Sequence, residues 1–126
     1  MTYRVLVTGS RDWDDRHQLE LALDAILGEH CPLMIVHGKC PTGADMMAAR
    51  WVEMARRENI NVTDDPHPAR WDLLGKAAGH ARNQEMADAG ADECVAFYKN
   101  GATNAGTSDC AERAGKAGIP VRKFYG

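Results

Sequence analysis

The chain lacks the features that commit a sequence to disulfide, metal or membrane chemistry. Its cysteines, Cys31, Cys40, Cys94 and Cys110, stand far apart and form no C-x-x-C pair. A disulfide framework or a zinc site needs closer, more regular spacing. Reduced thiols in a cytoplasmic protein are therefore expected, and Cys94, at the head of an apolar run, reads as a small core residue. The five histidines are equally scattered and give no metal-ligand spacing. No apolar run approaches the roughly 20 residues that span a bilayer. Met1-Thr2-Tyr3-Arg4 leads straight into a strand with no visible signal peptide. Neither G-x-G-x-x-G nor G-x-x-x-x-G-K-[ST] occurs, so the dinucleotide fingerprint and the Walker A loop are both absent. Positive charge is also short: the formal net charge is −3. That supplies no general drive toward nucleic acid. The aromatics are Trp13, Trp51, Trp71, scattered tyrosines and two phenylalanines, with no stacking platform set in a basic groove. A local basic patch is the one nucleic-acid signature that composition leaves open. No resident metal, cofactor or membrane partner is expected.

What the chain does have is glycine in the right places. Three short apolar runs each end in a glycine-rich loop followed by a helix-like pattern. They are Val5-Leu6-Val7-Thr8-Gly9-Ser10-Arg11, Met34-Ile35-Val36-His37-Gly38 through Gly43-Ala44-Asp45, and Val95-Ala96-Phe97 leading to Gly101 and Gly106-Thr107. A strand, a glycine loop and a helix together present backbone N–H groups at the carboxyl edge of a parallel sheet. Three such loops point to one ligand site, for phosphate or nucleotide.

The 126 residues, 44% apolar and without a low-complexity tract, make a single domain large enough for a real core. Periodicity predicts alternating elements. Strands are expected at Arg4–Thr8, Leu33–His37, Asn61–Thr63, Glu93–Tyr98 and Ile119–Lys123. Helices are expected at Asp14–Gly28, Asp45–Glu58, Gly79–Ala89 and Thr107–Ala117. Asp14 or Asp15 is placed to cap the first helix, whose apolar face is Leu19, Leu23, Ile26 and Leu27. Met47, Trp51, Met54 and Ala55 form the stripe of the second. Between the third strand and the third helix, Asp64–Ala78 reads as a long segment carrying Pro66, Pro68 and Trp71. Such alternation implies right-handed βαβ units. The fold class is α/β, a doubly wound parallel sheet of about five strands in the order 3-2-1-4-5 with the short third strand at an edge. Its switch point falls between the first and fourth strands, so the loops Gly9–Trp13 and Lys99–Gly106 face each other across a crevice.

Each loop has two readings. Gly9-Ser10-Arg11 is either a tight turn or an anion site, and the Ser10 hydroxyl and Arg11 cation at a helix entrance favour the second. Gly43 and Ala44 let backbone approach a ligand. Asp45 either caps the second helix or meets a ligand hydroxyl. Arg82 and Asn83 fall in the first turn of the third helix, where a cation opposes the macrodipole. An anionic ligand resolves that conflict, and a solvated arginine is the alternative. Gly106-Thr107 is placed to bind a ligand, although Thr107 or Ser108 is equally able to cap a helix. Asp109 in the first turn is favourable for the dipole alone. Long loops are commonly functional, so Asp64–Ala78 is expected either to fold over the site as a partial lid, with Lys76 on phosphate, or to tuck Trp71 into the core.

At these residues the chain resembles the SLOG superfamily, in its YspA-like, cpYpsA-related branch, which is frequent in actinobacteria and their phages. The resemblance runs nearly end to end: Val5–Trp13, Val36-His37-Gly38, Pro41–Asp45, Trp71, Gly79, Arg82–Met86, Gly90-Ala91-Asp92, Ala96-Phe97, Gly106–Cys110 and Ala117–Val121. It implies a Rossmann-like domain that binds a nucleotide or nucleotide-derived ligand, and a homodimer, since relatives commonly dimerise. The superfamily also includes the LOG phosphoribohydrolases, with M-H-x-R-K-x-x-M and P-G-G-x-G-T-x-E-E. His80-Ala81-Arg82 with Met86, and Gly106-Thr107-Ser108-Asp109, are similar to these. The likeness puts Arg82 and Asp109 in the places of the catalytic arginine and first glutamate, and so implies N-glycosidic hydrolysis as an alternative function. The departures are Asn83 for the lysine, Cys110 for the second acid and Asn104-Ala105 for the glycine pair. The DNA-processing relative Smf/DprA binds single-stranded DNA, a role that the acidic composition of this chain does not favour.

Overall fold

The computed structural model describes residues 1–126 and confirms the alternation. The elements in chain order are β1 (Tyr3–Gly9), α1 (Arg16–Glu29), β2 (Leu33–His37), α2 (Gly43–Arg57), β3 (Val62–Pro66), α3 (Trp71–Leu74), a 3-10 turn (Gly75–Ala77), α4 (Ala78–Ala89), β4 (Glu93–Tyr98), α5 (Ala105–Lys116) and β5 (Val121–Tyr125). The strands form one sheet in the order β3-β2-β1-β4-β5, and every neighbouring pair is parallel.

Side-chain alternation along β1 divides the core. Successive strand residues face opposite sides. Val5 and Val7 therefore join Leu19, Leu23 and Ile26 of α1 and Ala48, Trp51 and Val52 of α2 in the larger cluster. Leu6 points the other way and packs with Met86, Cys94, Cys110 and Ala114. The second face is lined with small residues because α4 and α5 lie close on it and on each other. Cys94 is a fully buried core residue, as its place at the head of β4 implies. No helix is long and apolar enough to cross a membrane.

The first helix is capped as expected: the Asp15 carboxylate accepts from the Gln18 N–H at 3.0 Å. Three details differ from the sequence reading. Met54 does not belong to the buried stripe of α2 and is 57% exposed. The buried residues Ala44, Ala48, Trp51, Val52 and Ala55 define that face, and Met54 is rotated from it by roughly 100°. Segment 64–78 is not structureless. β3 runs on to Pro66, because β2 offers pairing as far as His37 and an edge strand tolerates proline. α3 and the 3-10 turn then lead directly into α4, so only residues 67–70 are irregular. Finally, Trp71 is not tucked into the core and stays 50% exposed.

The start of the short connection is pinned at His67. The His67 N–H donates to the His37 carbonyl at 2.8 Å. Its ring bridges Asp65 of β3 and Glu85 of α4. This bridge sets where α3 emerges over the carboxyl edge of the sheet.

Candidate functional site

The chain runs outward from β1 to β2 and β3, then returns to β4 on the other side of β1. The loops after β1 and β4 diverge there, and a cavity of about 600 Å³ opens between them. Its wall combines Thr8–Asp12 from the β1 end, Cys40 and Asp45 from the β2–α2 connection, and Trp71 and Lys76 from the α3 region. Gly79, His80, Arg82, Asn83 and Met86 of α4 and the run Gly101–Thr107 complete it. Gly9, Ser10, Arg11, Asp45, Arg82, Asn83, Gly106 and Thr107 thus share one cavity. Gly38, Gly43 and Ala44 do not line it.

The three excluded residues instead shape the wall from behind. Gly43 has φ +72°, and a Cβ there would sit 2.2 Å from the Ser10 carbonyl oxygen and 2.6 Å from the Arg11 Cα. Only glycine fits such a position. The adjacent Ala44 is fully buried and donates its N–H to the Ser10 carbonyl at 3.2 Å. The N-terminus of α2 therefore grips the β1–α1 loop rather than facing the cavity. Trp13, 2% exposed, plugs that loop from below and donates its indole N–H to the Asp15 carbonyl.

The N-terminus of α5 is arranged differently. Asn104, at its N-cap with φ 54°, makes no side-chain bond to the helix. Its amide donates to the Lys99 and Ala102 carbonyls, and its oxygen accepts from the Lys99 N–H. Thr107 and Ser108 lie inside the first turn and do not serve as the cap. The first acceptor used by this helix is the Asn104 carbonyl, bonded by the Ser108 N–H. The N–H groups of Ala105, Gly106 and Thr107 find no acceptor within the protein, and all three residues line the cavity. No acidic side chain occupies the first turn. An uncapped helix N-terminus with free donors attracts anions.

The third expected helix, α4, begins one residue earlier than the sequence implied, at Ala78, and the 3-10 turn runs into it, so Arg82 stands just past its first turn. The dipole conflict is correspondingly weaker. Its guanidinium is held by two bonds, Nη1 to the Gly38 carbonyl at 2.7 Å and Nε to Asn83 Oδ1 at 3.0 Å. Asn83, itself buried, donates in turn to the Gly106 carbonyl and to Asp109 Oδ2. One side-chain chain thereby ties β2, α4 and α5 around the cavity.

Asp109 is the far anchor of this chain and does not line the cavity. It accepts from Arg113 Nε at 2.9 Å and from Asn83, and lies 3.2 Å from His80 Nδ1. Burial acts to raise its pKa, but the bonds from Arg113, Asn83 and His80 hold the carboxylate down at about 2. Two acids do line the cavity, the exposed Asp12 and the buried Asp45, 7% exposed. The buried Asp45 is the one the fold holds in place. Its Oδ2 accepts weakly from the Cys40 N–H, folding the β2–α2 connection rather than capping a helix. Burial pushes its carboxyl up, against the charge of Arg82 and the N–H groups of Cys40 and Gly38. Next to it, His37 Nδ1 accepts from the Lys39 N–H, so the proton lies on Nε2, 2.9 Å from Asp64.

Around this cavity Arg11, Lys76 and Arg82 outnumber the carboxylates Asp12 and Asp45. Cys40 was no part of the expected site. Its only sequence signal was membership of a connection longer than its elements require. No group of three or more His, Cys, Asp or Glu side chains is placed to hold a metal ion.

Comparison with known proteins agrees with this architecture. Residues 3–73 match the family described as YspA, cpYpsA-related SLOG, a span that runs from β1 into α3 and includes the first two glycine loops. The Gene 61 protein of Mycobacterium phage D29 is 47% identical over 122 residues, covering 96% of this chain and 95% of that protein. No solved structure matches the chain. With the motifs, the parallel sheet and this match in agreement, the chain belongs to the YspA-like, cpYpsA-related family of the SLOG superfamily.

Proposed function

We propose that the protein binds a nucleotide or nucleotide-derived ligand, with its phosphate on the N-terminus of α5. The observation that supports this is the set of free N–H groups at Ala105, Gly106 and Thr107, facing the cavity that Arg11, Lys76 and Arg82 make cationic. Backbone donors and fixed guanidinium groups recognise phosphate by geometry as well as by charge. Family membership is consistent with that role. The reading is of a binding domain rather than a phosphoribohydrolase. N-glycosidic hydrolysis needs an acid beside the sugar carbon, and Asp109 is committed to Arg113 and Asn83 behind the wall.

Calorimetry with nucleoside monophosphates tests the proposal, using wild-type protein and Gly106→Val. A Cβ at Gly106 meets nothing within 4 Å, so the variant keeps its fold and its circular dichroism. The valine side chain stands where phosphate would approach, and affinity falls tenfold or more, about 1.4 kcal/mol. Unchanged affinity in a folded variant rejects this phosphate position.

A further inference from the structure

We propose that Trp71 is the platform on which the ligand's planar base stacks, so that the site selects base-bearing nucleotides over bare sugar phosphates. This rests on the nucleotide reading above and adds the part of the ligand that phosphate donors do not address. The three tryptophans are treated very differently by the fold. Trp13 and Trp51 are 2% and 7% exposed, whereas Trp71 is 50% exposed on the cavity wall. Trp51 also satisfies its indole N–H on Asp24 at 2.9 Å.

The Trp71 ring is nonetheless held in place. The Arg11 guanidinium lies over it, 5.7 Å from the ring centroid. Its Cη2 lies so close to Gly79 that a Cβ there would be 3.4 Å away. Both neighbours line the same cavity. The short helix that carries Trp71 follows the segment pinned by His67, turns at Gly75 with φ 55° and leads through the 3-10 turn into α4. An indole oriented by a cation and left open beside free anion donors suits the two ends of a nucleotide. A base stacked there would cover apolar surface that the protein leaves in water, and every base has a π-face to offer. The neighbouring Leu73 and Leu74 are also exposed but do not line the cavity, so an apolar contact with a second copy is the competing use of this segment.

The experiment compares the four nucleoside monophosphates with ribose 5-phosphate, on wild type, Trp71→Ala and Trp71→Phe. Trp71 is the exposed indole, so quenching of tryptophan emission by acrylamide reports on it selectively. At least one nucleotide is expected to shield the wild-type emission, while ribose 5-phosphate binds without shielding. Trp71→Ala is expected to weaken that nucleotide by about tenfold or more, the scale of one base–aromatic stack, and to leave ribose 5-phosphate unchanged. Trp71→Phe restores most of the loss. Equal weakening of nucleotide and ribose 5-phosphate, or nucleotide affinity unaffected by alanine, overturns the platform while leaving the phosphate site standing. A change of oligomeric state with unchanged nucleotide affinity overturns it in favour of the second-copy contact. Failure of wild type to bind any of the five ligands overturns the nucleotide reading and this inference together.

Discussion

The guanidinium of Arg82 occupies the space that a side chain at Gly38 would need. A Cβ on Gly38 would lie 2.2 Å from Nη1 and 2.7 Å from Cζ, and that same Nη1 donates to the Gly38 carbonyl at 2.7 Å. The glycine after β2 thus shapes the cavity wall through an arginine 44 positions away. Gly38→Ala is expected to displace the guanidinium and weaken phosphate-ligand binding by about 1 kcal/mol, the value of one ordinary hydrogen bond. Arg82→Ala, which removes a charge-assisted contact outright, should cost about 1.5–3 kcal/mol. Calorimetry on both variants checks the order. Gly38→Ala binding as well as wild type would show that the position of the guanidinium is immaterial.

Asp45 predicts an exchange of stability for site chemistry. Its buried carboxyl titrates above the ordinary carboxylate range, so the folded state holds this proton more tightly than the unfolded state. Stability then declines as pH rises from the ordinary carboxylate value through the folded one. Asp45→Asn removes that decline. The variant should match wild type near pH 3 and exceed it at neutral pH by about 1 kcal/mol, or about 4 °C in Tm. Thermal melts from pH 3 to 8 measure this. A variant that melts lower at pH 7 would mean that attraction to Arg82 outweighs the cost of burial.

Asp109 has the opposite sign. Its folded pKa, about 2, lies below the ordinary value of 3.8. Its contribution is therefore fully present above the ordinary value and lost as pH falls toward 2. Asp109→Asn should flatten the stability profile between those limits and loosen Asn83. Nucleotide affinity should change less than in Arg82→Ala, because Asp109 acts through Asn83 and not on the ligand. Urea titrations at pH 2.5 and 5 compare the two proteins. Release of free base from a nucleoside monophosphate by wild type, abolished in Asp109→Asn, would replace the binding reading with a hydrolase.

Local pattern was enough for the frame. Leu33–His37 and Glu93–Tyr98 coincide with β2 and β4 to the residue. The order 3-2-1-4-5 also follows from alternation and crossover handedness. A strand's apolar run and a helix's stripe are short-range signals, and short-range signals survive without coordinates. The 3-10 turn and α3 were not legible, because a helix of four residues has too few positions to show a period.

The sequence by itself determined that glycine loops would meet at one sheet edge, because a switch point is a property of strand order. Tertiary structure decided what each glycine was for. Gly43, Gly38 and Gly106 look alike in a sequence, since all three lack the same atom. One admits the backbone of another loop, one admits a guanidinium and one opens onto the cavity. Those neighbours come from distant segments of the chain, and only packing brings them within reach. The same holds for the two acids. Asp45 and Asp109 each stand near the start of a helix, yet Asn83 and Arg113 draw one behind the wall while the other remains in it.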